Sequence, residues 1–400
     1  MCFLMHGKNF EAEVRMRILH TSDWHLGKRL MDRERLPEQI AVLDEITELC
    51  DARGVDVVLV AGDVFDTYLP PAEAEEAFFH AVKKLAGSDR AVVIVSGNHD
   101  DGIRLSASVP IAAEEGIYIF GARAQRIPVG GNRPVCVAEA GENYIVLRNQ
   151  AGEHVYINAL PYPNEARLRE EKSEESYAEK TARWIAAGDE RYDRVMPHIL
   201  LTHLFVTGGS VSDSERDISL GGARLMPAEN LPPFGYTALG HLHKRQKIGD
   251  FARYSGSILQ YSFDEANTEK GVVLLETRPG GDVVVSEEIP LKAGMRLVRL
   301  EANGVEEGLR LLGMHENKYI ELTLNLSEPL MSIETRTLRE ANKGLVSLIT
   351  RVKEGQTASV VRRSELDAKQ LFTEFYRMKC DGKEPSDDLK EAFLLLLEET

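Results

Sequence analysis

Asp23 and His25 stand two residues apart, as do His241 and His243, and Asp63, Asn98 and His203 extend the same set of oxygen and imidazole donors along the chain. On extended backbone a spacing of two turns both side chains of a pair to one side, so each pair can reach into one cavity. Carboxylate, amide and imidazole together suit five- or six-coordinate first-row divalent ions better than a thiolate site. Asp63 is read as the bridge between two such ions. Ions bridged in this way lie roughly 3.5 to 4 Å apart, where they share a water, lower its pKa and polarise a phosphoryl oxygen during in-line attack. His99, beside Asn98, is left over from the ligand set. It is expected to be the general acid or the group that orients the phosphate, worth roughly 10² to 10⁴-fold in rate.

Position in the chain separates these seven donors from scattered polar residues. Five short apolar runs end in them: Arg17 to Ser22 leads into Asp23, Val57 to Ala61 into Asp63, Ala91 to Ser96 into Asn98, His198 to Thr202 into His203, and Tyr236 to Leu239 into His241. β-Branched runs bounded by glycine read as buried strands, which places each donor at a strand's carboxyl end. One histidine in such a place is more often a hydrogen-bonded core residue than a ligand. A core, however, has no need for polar residues repeatedly set just past buried strands, where each requires a partner. Trp24 and Leu26 are read as packing residues. Lys28, Arg29, Arg33 and Arg35, and separately Lys244, Arg245 and Lys247, either hold a phosphate backbone or are solvated surface.

The other segments supply the frame. Residues 1–15 lack periodicity and are read as a disordered extension or the product of an upstream start codon. Helical spacing predicts helices over Leu36 to Cys50 and Ala72 to Leu85, with Phe79 off the second stripe as a further buried contact or part of a dimer surface. Short strands are expected at Ile117 to Phe120, Val135 to Ala138, Tyr144 to Arg148, His154 to Ile157 and Tyr254 to Leu259, a charged helix over Glu165 to Ala187, and a hairpin of Val272 to Glu276 with Val283 to Ile289 turned by Pro279-Gly280-Gly281. Beyond Leu291 a smaller α/β unit follows, with strands at Arg296 to Glu301 and Tyr319 to Asn325 and helices over Val305 to Leu312 and Thr335 to Ile349. Serines open two tail helices, Ser364 to Met378 and Ser386 to Glu398. The run Phe393 to Leu397 turns through more than a full circle, which favours docking on a partner.

Composition sets the outer limits. With 400 residues, 43% hydrophobic and 28% charged, the chain is an ordinary globular protein of two or three domains. No apolar run reaches the ~20 residues of a membrane span, so a cytoplasmic location is expected. The four cysteines, Cys2, Cys50, Cys136 and Cys380, form no C-x-x-C pair and are read as reduced thiols. A formal charge of −16 argues against coating nucleic acid by charge alone, yet leaves open nucleic acid at a metal site.

In order, these motifs read D-x-H, G-D-x-x-D, G-N-H-D, H and G-H-x-H, and the chain resembles the calcineurin-like metallophosphoesterases. More narrowly, MRILHTSDWHLG from Met16, AGDVFDT from Ala61, VSGNHD from Val95 and LGHLH from Leu239 resemble the nuclease subunits of bacterial DNA double-strand-break repair complexes. The resemblance covers nearly the whole chain from Met16. It implies a four-layer αββα nuclease core over 16–290, a small α/β capping domain over 291–355, and C-terminal helices over 356–400 that dock the coiled-coil base of a partner ATPase. It further implies a homodimer within a heterotetramer, and two manganese ions, one on Asp23, His25, Asp63 and His243 and the other on Asp63, Asn98, His203 and His241. No G-x-x-x-x-G-K-[ST] loop occurs, so ATP dependence must come from the partner. Asp66 departs from archaeal relatives, which carry there a histidine linked to exonuclease action. The competing readings are a phosphatase of the same fold and a metal-bound scaffold that regulates an ATPase. Protein phosphatases of this superfamily show Arg and Glu where this chain has Thr67 and Asp100, which speaks for the nuclease.

Overall fold

The computed structural model of the chain describes residues 16–121, 127–164, 174–218 and 224–352, together with 372–373, 376, 384–386 and 389–390. In chain order the first strands are β1 (Met16–Thr21), β2 (Val57–Ala61), β3 (Ala91–Val95), β4 (Ile117–Phe120), β5 (Cys136–Ala140), β6 (Tyr144–Arg148), β7 (His154–Leu160) and β8 (His198–His203). They are followed by the short β9 (Phe205–Val206) and β10 (Leu225–Met226), then β11 (Tyr236–Gly240), β12 (Gln246–Ile248), β13 (Ala252–Tyr254), β14 (Gly271–Thr277) and β15 (Val283–Pro290). The helices among them are α1 (Leu36–Arg53), α2 (Ala72–Ala86), the short α3 (Gly102–Ser106) and α4 (Val109–Ala112), and α5 (Tyr177–Gly188).

One sheet runs β15-β14-β1-β2-β3-β4 and the other β12-β13-β11-β8-β7-β6-β5. β1 to β4 are parallel, as are β7, β8, β11 and β13. Strands buried on both faces need unbroken apolar runs rather than alternation. β2 and β3 supply them, and every residue of each is buried. Their side chains share one apolar cluster with Ile145, Ile157, Leu201 and Ala238 of the second sheet, so the sheets pack face to face. Val42, Leu43 and Ile46 of α1 and Phe78, Val82 and Leu85 of α2 join the same cluster from the far side of the first sheet. Trp184 and Ile185 of α5 pack with Leu200, Leu239 and Tyr254 of the second. The result is the expected four-layer αββα core, in which each large side chain removed from water contributes roughly 1.5–3 kcal/mol.

A third, three-stranded sheet runs β16 (Leu297–Asn303), β17 (Tyr319–Leu326), β18 (Leu345–Val352), with α6 (Val305–Gly313) and α7 (Ser332–Ala341). The helix expected over Thr335 to Ile349 is here two elements. Asn342 ends α7: its side-chain amide donates to Leu312 O and His315 O, and its Oδ1 accepts from Gly344 N at 2.7 Å. A Cβ on Gly344 would stand 2.0 Å from Lys318 O, so glycine lets the chain pass and the β-branched run after it forms a strand. Two other expectations are also corrected. The charged helix begins at Tyr177, where Ser176 and Glu179 form a capping box, and residues 165–173 lie outside the described residues. The strand expected over Tyr254 to Leu259 is Ala252–Tyr254, beyond which Ser257 N donates to His243 O instead of a neighbouring strand.

The third sheet is tied to α1. Arg35, almost wholly buried, donates to Glu38, Gln260 O and Met295 O and lies 4.9 Å from the Tyr319 ring centroid, while the Tyr319 hydroxyl donates to Glu38 at 2.8 Å. By contacts the chain divides into Met1–Asn325 with Leu330–Thr350, and Leu326–Pro329 with Arg351–Thr400. Within the second unit Ser386 Oγ accepts from Leu389 N at 3.3 Å, an N-cap where the sequence predicts one. Most of both expected tail helices, and residues 1–15, lie outside the described residues.

Candidate metal centre

The five motif-bearing strands end on one rim of the paired sheets, and the backbone beyond them turns sharply. Asp23, His25, Asp63 and His241 have φ of 51°, 45°, 48° and 106°, a region that costs a non-glycine residue about 1–3 kcal/mol. Neighbouring loops hold them there. Asp23 N donates to Gly62 O at 3.1 Å and His25 N to Asp63 O at 2.9 Å, so the loops after β1 and β2 run in step. The carboxylates lock the other loops: Asp23 Oδ1 accepts from His241 N and Asp63 Oδ1 from His99 N, both at 2.9 Å. Asp100 accepts from Val64, Phe65 and Gly97 N–H, pinning the β2 and β3 loops together. Two motif glycines let the sheets close. A Cβ on Gly62 would stand 2.4 Å from His203 Nδ1, and one on Gly240 1.7 Å from Ala61 O.

All seven predicted donors meet in this space. In one lobe His25 Nε2 lies 3.0 Å from His243 Nε2 and 3.6 Å from Asp63 Oδ2, with Asp23 in the same group. In the other, Asn98 Oδ1 lies 2.9 Å from His203 Nε2 and 3.0 Å from His241 Nδ1, and His203 Nε2 is 3.4 Å from Asp63 Oδ2. Asp63 thus stands between the lobes. His99 also comes within metal-ligand range of His25 and Asp63, although it is the residue assigned to acid catalysis. Its Nδ1 donates to Asp66 O at 2.8 Å, so Nε2 is the ring nitrogen that Asp66 does not engage.

Burial dominates the electrostatics. It pushes the Asp23 carboxyl up to about 6 and the His25 imidazole down to about 3, and drives His241 well below the usual range. Burial also opposes charge on His203, yet Asp63, Asp23 and the Ala61 carbonyl together outweigh it and lift the imidazole to about 9. Paired imidazole nitrogens 3.0 and 3.3 Å apart, facing two buried carboxylates and an amide oxygen, fit divalent cations placed among them, and the two lobes with a shared Asp63 fit two.

Several residues of the site carry no sequence signal. Ser22 Oγ donates to Asp23 at 2.5 Å. Ser214 Oγ lies 2.7 Å from His243 Nδ1 and from Glu265 Oε1, Glu215 accepts from His243 N, and Lys270 pairs with Glu265 at 2.5 Å. Tyr162 stacks on His241 with ring centroids 6.4 Å apart, and Arg224 donates to its hydroxyl at 3.2 Å. Apart from Ser22, which adjoins Asp23, spacing could not have found these, because they come from segments whose approach depends on the whole fold. Asp66, visible in its motif, is 3.3 Å from His25 Nδ1 and 2.7 Å from Lys28 Nζ. The other cations near the motifs are engaged by protein: Arg29 with Glu34, Arg33 with Lys343 O, Lys244 with Val211 O, Arg245 with Glu269 and Glu288, and Lys247 with Asp250. Trp24 and Leu26 are buried packing residues as expected, whereas Phe79 is half exposed. Cys50 and Cys136 are buried free thiols. No helix of the described residues is long and apolar enough to cross a membrane.

Comparison with known proteins agrees with this geometry. The calcineurin-like phosphoesterase family model matches residues 16–245. The chain is 35% identical over 398 residues to SbcD, the D component of the SbcCD nuclease, of Bacillus subtilis (strain 168), covering 95% of this chain and 97% of that protein. It is 31% identical over 380 residues to the SbcD of Escherichia coli (strain K12), covering 89% and 92%, and 35% identical over 309 residues to that of Rhodobacter capsulatus, covering 72% of each. The chain therefore belongs to the calcineurin-like phosphoesterase family and, within it, to the group of the SbcD nucleases.

Proposed function

We propose that this chain is a two-metal phosphodiesterase, the DNA-cleaving component of an SbcCD-type complex. The observation that carries the reading is the meeting of seven nitrogen and oxygen donors with His99, whose backbone N–H is bound to the central Asp63 carboxylate. One ion takes Asp23, His25, Asp63 and His243, and the other Asp63, Asn98, His203 and His241. Bound there, the pair supplies an activated water and polarises the scissile phosphoryl oxygen. We take the pair to be manganese.

The chain's own part is positioning and proton transfer. Asp63 and Asp23 hold the loops so that the imidazoles face one another. His99, anchored through Nδ1 on Asp66 O, steadies the phosphate and delivers a proton from Nε2 to the departing sugar oxygen. Arg224, exposed beyond Tyr162, offers a phosphate contact at the mouth, which suits backbone positioning on DNA. The substrates are duplex ends, degraded 3′ to 5′, and single strands or hairpins. The chain works as a homodimer within a heterotetramer, in the cytoplasm, with residues 16–290 as nuclease, 291–355 as cap and residues 356–400 as the segment that docks on an SbcC-type ATPase.

The test is digestion of an end-labelled linear duplex with manganese, beside Asp63→Ala and a chelator control, with bis(p-nitrophenyl) phosphate as a probe of diester chemistry. Shortening of the DNA that disappears in both controls is expected. Cleavage of the small diester while DNA survives, even with an SbcC-type partner present, would replace the nuclease by a phosphatase-like reading.

A further inference from the structure

The two lobes of the centre differ in what stands behind their imidazoles. His25 Nδ1 faces Asp66 Oδ1 at 3.3 Å, and Lys28 Nζ pairs with that carboxylate at 2.7 Å. His243 Nδ1 meets Ser214 Oγ at 2.7 Å, which donates on to Glu265 Oε1 at 2.7 Å; the same carboxylate oxygen is 3.6 Å from the imidazole. Glu265 is fully buried and held by Lys270. Each histidine of this lobe thus backs on a carboxylate that is itself paired with a lysine. The other lobe is built differently. His203 Nδ1 backs on a neutral carbonyl, Ala61 O, at 2.8 Å, and Asn98 brings no charge. The carboxylate near that same nitrogen, Asp23 Oδ1 at 4.0 Å, is already a donor of the first lobe. Counting direct donors, the first lobe has Asp23 and a share of Asp63, the second only the share.

More ligand charge tightens a divalent site, and an anionic partner behind a ligating imidazole raises its basicity and fixes its tautomer. We infer that the two metal positions fill in order, the Asp23, His25, His243 lobe first and tightly, the Asn98, His203, His241 lobe second and more weakly, with Glu265 and Asp66 as positioning residues of the first. The inference rests on the two-metal reading above. It makes the second lobe the one that metal supply controls.

The experiment is a manganese titration of the metal-free full chain, followed by calorimetry and electron paramagnetic resonance. Two steps at least about tenfold apart are expected. Glu265→Gln should weaken the tighter step by about 10- to 100-fold and leave the weaker one, whereas Asn98→Ala should abolish the weaker and leave the tighter. Ser214→Ala, which keeps the Lys270–Glu265 pair, gives the same test should Glu265→Gln not fold by circular dichroism. Equal steps, a tight step that neither Glu265→Gln nor Ser214→Ala changes, or loss of the tight step in Asn98→Ala would overturn the filling order. A wild-type chain that binds no manganese would instead refute the two-metal reading beneath it.

Discussion

Gly62→Ala tests how closely the two sheets must approach to form the centre. The new Cβ would stand 2.4 Å from His203 Nδ1, 2.7 Å from its Cγ and 2.9 Å from Gly97 Cα, against ordinary contact from 3.4 Å. The imidazole must retreat by about 1 Å, since a core packed at crystal density offers no slack. Retreat breaks its 2.8 Å hydrogen bond to Ala61 O and moves Nε2 away from Asn98 and Asp63. Overpacking of this kind costs about 1–3 kcal/mol, and φ of +81° adds about 1–2 kcal/mol for an L residue. A loss of about 2–5 kcal/mol in urea unfolding is expected. A misplacement of about 1 Å also lowers rate by about 10²-fold, read as manganese-dependent hydrolysis of bis(p-nitrophenyl) phosphate. Gly152→Ala is the control, because φ there is +83° with nothing within 4 Å of the Cβ. It should lose only about 1–2 kcal/mol and keep full activity. If Gly62→Ala behaves like Gly152→Ala in both assays, the close approach is not what positions His203.

His99→Ala should keep both manganese-binding steps and lower diester cleavage by about 10² to 10⁴-fold; unchanged cleavage would remove His99 from the mechanism. Lys270→Met strips the countercharge from Glu265, whose carboxyl burial would push up were Lys270 not holding it well below the usual range. Breaking a buried pair in this way costs about 3–5 kcal/mol in urea unfolding, whereas Arg29→Ala, which breaks an exposed pair with Glu34, costs under about 1 kcal/mol. Similar losses in the two variants would show that the Glu265 network is not desolvated as described.

Local rules go far in this chain because a buried parallel strand and its terminus are local features. A buried apolar run that ends in a polar residue marks a strand and its end, and Asp23, Asp63, Asn98, His203 and His241 all fall at or just past strand ends, three of them after a glycine. The same rules mislead where propensity is even. Thr335 to Ile349 has helical spacing throughout, and only the contacts of Asn342 and the closeness of Gly344 to Lys318 O turn its second half into a strand.

Donor types, their strand-end positions and hence the class of chemistry are legible in the order of residues alone. Which donors share a lobe is not, since His25 and His243 meet only when two sheets pack together, and neither is what stands behind them. Glu265, Lys270 and Ser214 acquire their roles from segments that meet His243 only in the folded chain, and most of the motif-adjacent cations turn out to be held by protein. The physical reason is range: apolar periodicity is set by neighbours a few residues away, whereas a buried carboxylate stays charged only through partners that the whole fold delivers.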